Sequence, residues 1–89
     1  MDGQARLMMQ IRVKLFAILK DAVGAGELTL ELPEPSTVES AGKALLAQAP
    51  ALGNYLPRVA FAVNREYVKP DTELHPDDEL ALIPPVSGG

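Results

Sequence analysis

Apolar and polar positions alternate along Ile11-Arg12-Val13-Lys14-Leu15-Phe16, with Ile11, Val13 and Leu15 on one side, so residues 11–16 read as a strand. The same period of two returns at 27–32, where Leu28, Leu30 and Leu32 oppose Glu27, Thr29 and Glu31. Between them, Ala17 to Val23 suits a short helix that Gly24 and Gly26 would stop. The short, glycine-rich link predicts an antiparallel hairpin. The period then changes. Val38, Ala41, Leu45 and Ala49 recur at helical spacing, which predicts a helix over 37–49 with Pro50 as its stop. Ser36 followed by Glu39 reads as a capping box, the hydroxyl accepting from the amide of residue 39 and the carboxylate returning to the amide of residue 36. Val59 to Val63 is apolar on both faces, as in an interior strand or one whose outer face meets a partner. Asn64-Arg65-Glu66 reads as a turn into a short strand at Tyr67-Val68, Pro70 to Glu79 as a polar connection, and Leu80 to Ile83 as the last strand.

The order is strand, strand, helix, strand, short strand, strand. That suits an α+β domain of the β-grasp (ubiquitin-like) type, a mixed sheet of about five strands with one main helix packed across one face. A ferredoxin-like sandwich is the alternative, but it needs a second full helix, and residues 69–79 hold two prolines and are too polar to supply one. The expected organisation is a disordered N-terminal extension at 1–9, a domain at 10–83 and an extended, flexible C-terminal tail at 84–89.

Composition narrows the chemistry. With 89 residues, 47% hydrophobic and 22% charged, the chain is one small globular domain whose core must be aliphatic, since aromatics are only 4%. The absence of cysteine excludes a disulfide scaffold, a thiolate zinc site and a thiol nucleophile, and it fits a cytoplasmic protein. The net charge is −4 and the basic residues never cluster, so neither nucleic acid nor an anionic membrane is an expected partner. No apolar run is long enough to span a bilayer, and Met1 to Gln10 lacks the apolar centre of a signal peptide.

The body of the chain offers little catalytic apparatus. The lone His75 has no second His or Cys beside it, so no metal site is expected. Asp77, Asp78 and Glu79 lack the spacing of a Ca²⁺ loop and read as a solvated acidic turn. Gly24-Ala25-Gly26 precedes a strand rather than a helix, which removes the nucleotide reading. The C-terminal end differs. Pro84 and Pro85 hold the backbone extended as it leaves the last strand, and Val86, Ser87, Gly88 and Gly89 continue it as a thin ribbon suited to a narrow channel.

Several segments together carry a family resemblance: Ile11-Arg12-Val13-Lys14-Leu15-Phe16-Ala17, Val23-Gly24, Pro35-Ser36-Thr37-Val38-Glu39, Ala62-Val63-Asn64, Asp77-Asp78-Glu79-Leu80 and the closing Ile83-Pro84-Pro85-Val86-Ser87-Gly88-Gly89. Over residues 10–89 the sequence resembles the small subunits of molybdopterin synthase, ubiquitin-like sulfur carriers of molybdenum cofactor biosynthesis. The resemblance implies that Gly89, preceded by Gly88, is the reactive end. An E1-like adenylyltransferase would activate its carboxylate with ATP, a sulfurtransferase system would convert it to a thiocarboxylate, and the large synthase subunit would supply the catalytic side chains. The chain itself would bind no cofactor and would not act as an enzyme alone. It also implies that Phe16, Tyr67 and Ile83 belong to a hydrophobic docking surface, with Pro84, Pro85, Val86 and Ser87 entering the partner. Alternation points the same way, since Phe16, Ala60, Ala62, Ala81 and Ile83 should be apolar on the outer side of the sheet. Two other uses of the same end stay open: a ubiquitin-like modifier conjugated to lysines through Gly89, and sulfur delivery to thiamine or another metabolite.

Overall fold

The first alternating stretch forms strand β1 (Met8–Leu15), in which Met9, Ile11, Val13 and Leu15 turn inward and are buried. A computed structural model describes residues 7–85 of the protein. The strand starts ahead of the boundary expected at residue 10, because Met9 joins the core at 3% exposure and pairing with the next strand reaches Met8. Met8 and Met9 therefore belong to the domain rather than to an extension; residues 1–6 lie outside the described residues.

Helix α1 (Ala17–Val23) buries Leu19 and ends at Gly24, whose φ of 87° is the left-handed conformation glycine adopts without strain. The Gly24 amide donates to the Lys20 carbonyl at 2.7 Å. Strand β2 (Glu27–Pro33) then returns antiparallel to β1, with Ile11 opposite Leu30 and Lys14 opposite Glu27, as the short link predicts.

The helix cap differs from the expected box. Ser36 and Thr37 form a two-residue strand, β3 (Ser36–Thr37), and the Ser36 hydroxyl donates to the Pro33 carbonyl. The cap of α2 (Val38–Gln48) is Thr37, whose Oγ1 accepts from the Ser40 amide at 3.2 Å. The amides of Val38 and Glu39 donate to the carbonyls of Thr72 and Pro70, both at 2.9 Å, so the later loop satisfies the start of the helix. Val38, Ala41 and Leu45 are fully buried, and Pro50 follows the end as expected.

Two 3₁₀ turns, Pro50–Asn54 and Leu56–Arg58, lead to β4 (Ala60–Val63) and carry Leu52 into the core. A two-residue link joins β4 to β5 (Glu66–Val68), antiparallel to it. The expected polar connection holds a further strand, β6 (Glu73–Leu74), paired antiparallel with β3. Strand β7 (Glu79–Ile83) runs parallel to β1 and antiparallel to β4. The main sheet has the order β2-β1-β7-β4-β5, and α2 covers its inner face. This is the β-grasp arrangement; residues 69–79 supply turns and β6 rather than the second full helix of the ferredoxin-like alternative.

Leu74 shows what the small second sheet contributes. Its side chain is 2% exposed inside the common core. Leu74→Ala should destabilise the fold by about 3 kcal/mol, through lost transfer energy and the cavity left behind. Urea unfolding measures this; a loss under about 1 kcal/mol would mean that β6 is not part of the cooperative core.

Candidate functional site: the outer face of the sheet

The residues that alternate away from the core meet on the opposite face. Register places Lys14 of β1 beside Ala81 of β7, Ala81 beside Ala62 of β4, and Ala62 beside Tyr67 of β5. One level further on, Ile83 lies opposite Ala60, and Leu15 pairs with Leu82, which sets Phe16 next to Ile83 as the chain leaves β1. The three docking residues expected from sequence therefore come together. Phe16, Tyr67 and Ile83 line one shallow depression of about 370 Å³, with Lys14, Ala62, Arg65, Glu79 and Ala81 completing it.

The shape follows from side-chain size. The alanines at 62 and 81 form a low floor, and Ala62 is only 4% exposed although it faces outward. Large side chains stand around them: Phe16 is 47% exposed and Tyr67 is 73% exposed. Exposed aromatics beside an apolar floor form the kind of patch that marks an interface. Lys14 crosses the middle of the face, its Nζ 3.1 Å from Glu27 and 3.9 Å from Glu79. Such partly exposed pairs contribute little stability, but they hold the Lys14 ammonium between two carboxylates.

The β4–β5 turn is tied to the start of β7. The Asn64 side chain donates from Nδ2 to Asp78 Oδ1 at 3.0 Å and accepts from the Glu79 amide at 3.1 Å. The Asn64 amide donates to the Glu79 carbonyl at 2.8 Å, and Asp78 Oδ2 accepts from the His75 amide at 2.7 Å. The acidic run 77–79 thus holds a turn together rather than offering acid–base chemistry. Sequence reasoning misses this knot; its one signal is Asn64 at a hairpin turn, a residue that tolerates left-handed backbone. A second hollow, also missed from sequence, lies between α2 and the β4–β5 hairpin, where Gly42, Leu46, Leu56, Phe61 and Val68 meet Tyr67 from its other side.

Because β1 and β7 are parallel, Phe16 after β1 and Pro84 after β7 emerge at the same end of the sheet. Pro84 is half-buried and Pro85 exposed. The remaining expected site residues, Val86, Ser87, Gly88 and Gly89, lie outside the described residues.

The chain matches the ThiS family over residues 13–89. It is 40% identical to the molybdopterin synthase sulfur carrier subunit of Chlamydomonas reinhardtii, across 91% of this chain and all of that one. Among solved structures it is similar to small archaeal modifier protein 1 of Haloferax volcanii, with TM-score 0.81 and 28% identity over 88% of this chain and 99% of that one. It also shares its fold with a chain from the complex of subunits 1 and 2 of the molybdopterin-converting factor of Helicobacter pylori, with TM-score 0.68 and 23% identity over 91% of this chain and all of that one. The chain therefore belongs to the ThiS family and, within it, to the molybdopterin synthase sulfur carrier subunits.

Proposed function

We propose that this chain carries sulfur to molybdopterin synthesis as a thiocarboxylate on Gly89, and that its outer sheet face docks the chain on the large synthase subunit. The observation that carries the reading is spatial. The apolar depression runs along β7 from Glu79 to Ile83, and its Phe16–Ile83 end adjoins the departing Pro84-Pro85 segment, so a partner gripping the depression is placed to receive the chain end beyond Pro85.

The chemistry needs other proteins. A free carboxylate is a poor electrophile. An E1-like adenylyltransferase converts the Gly89 carboxylate to an acyl adenylate at the expense of ATP. Attack by a persulfide from a sulfurtransferase system displaces AMP, and reductive cleavage of the S–S bond by a thiol leaves the thiocarboxylate. The large subunit takes that sulfur into the pterin precursor, and two such deliveries build the dithiolene. The contribution of this chain is positioning, which turns a bimolecular transfer into a step within one complex. A chain without cysteine holds no thiol of its own to intercept the activated acyl group.

The likeness to a small archaeal modifier protein favours a second reading, conjugation of Gly89 to lysines. Deleting the gene separates the two. Sulfur delivery predicts loss of molybdoenzyme activity, restored by the intact chain. Lysine adducts carrying Gly-Gly remnants from this protein, with molybdoenzyme activity unchanged in the deletion strain, would favour the modifier instead.

A further inference from the structure

Asn64 and Arg65 are the two linking residues of the β4–β5 hairpin, and both have positive φ, 51° and 72°. A two-residue turn with this backbone is served best by Asn followed by Gly. Asn64 meets that preference and Arg65 does not. A side chain on left-handed backbone is strained, and such strain clusters at functional sites; Ala17 and Asp77 share this backbone, but neither borders the depression.

The turn itself makes no use of the arginine side chain. Its anchoring hydrogen bonds come from Asn64 and Asp78. Among the described residues Arg65 enters no ion pair, whereas Lys14 on the same face has both Glu27 and Glu79. Most Lys and Arg of the described residues likewise enter no ion pair; what sets Arg65 apart is its place on the rim of the hollow. The exposed Arg65 borders the depression that collects Phe16, Tyr67 and Ile83. The face thus presents an apolar hollow in which Lys14 is held between Glu27 and Glu79, while the Arg65 guanidinium on the rim has no ion pair among the described residues.

We propose that Arg65 is the charge anchor of this face, pairing with a carboxylate that the large subunit presents beside the apolar residues it sets into the depression. The inference rests on the docking reading above and adds the partner's chemistry to it. A guanidinium holds a carboxylate through two parallel hydrogen bonds, and at an interface rim such a pair acts on association rate and partner choice.

Arg65→Gly makes the test decisive, because it relaxes the backbone while removing the charge. Its melting temperature should equal the parent's or exceed it. Its affinity for the cognate large subunit, measured by calorimetry at low salt, should fall by about five- to tenfold. The deficit should shrink in about 1 M salt, where screening reaches within a few ångströms. Arg65→Lys should recover most of the low-salt affinity. Ile83→Asp in the same titration separates this inference from its foundation. If Ile83→Asp loses binding while Arg65→Gly keeps the parent's affinity and salt dependence, the anchor is overturned and the docking face stands. If Ile83→Asp binds as the parent does, the docking face itself is wrong and the anchor falls with it.

Discussion

Phe16→Asp combined with Ile83→Asp should weaken binding to the large subunit at least about 100-fold, while the isolated chain keeps its fold. The two side chains adjoin on the outer face and line the same depression. Docking an apolar partner surface there would desolvate two added carboxylates, a far greater cost than the lost contact area. Neither residue belongs to the buried core, whose strand positions point to the other face. The melting temperature should therefore fall by only a few degrees, from the poorer strand propensity of aspartate at position 83, since Phe16 is the N-cap of α1, where aspartate is favoured. Parent-like affinity in a folded double variant would remove the outer face from the interface.

A chain with one alanine added after Gly89, protected from trimming, should fold and dock normally yet support no dithiolene formation. The reacting carboxylate would move by about 3.5 Å, the reach of one extended residue, and a methyl group would enter a path proposed to admit only glycine. Transfer within a complex depends on near-attack placement, so a displacement of this size is expected to abolish turnover rather than slow it. Product formation by reconstituted synthase checks this; a parent-like rate from the intact extended chain would mean that Gly89 is not the handle.

The sheet and the main helix are legible in the sequence because their periods are long and regular. Ile11, Val13 and Leu15 announce one buried face over a whole strand, and Val38, Ala41 and Leu45 do the same for α2. Shorter elements leave no period to read. Strand β6 has only Glu73 and Leu74, and Leu74 is a single apolar residue in a polar stretch, buried because β3 lies beside it. The helix cap falls one residue later than expected for a related reason. Ser36 is committed to β3 and gives its hydroxyl to Pro33, which leaves Thr37 as the cap. Met9 reads as part of the N-terminal extension because the pairing of β1 with β2 extends beyond the clean alternation. At the site, alternation alone puts Phe16 and Ile83 on the outer face. It does not reveal the depression, which depends on two alanines meeting across β4 and β7. Nor does it reveal the left-handed turn at Arg65, because nothing in that residue type signals such a backbone.

Mass spectrometry of the peptide that begins at Glu66, after incubation with the activating enzyme, ATP and a sulfur source, tests the chemistry at Gly89 most directly. All three methionines stand at positions 1, 8 and 9, so this peptide contains none, and methionine oxidation cannot mimic the exchange of oxygen for sulfur. The expected result is that exchange, localised to Gly89 and trapped by alkylation of the thioacid. A peptide of unchanged mass, from protein that is meanwhile supporting product formation, would contradict it.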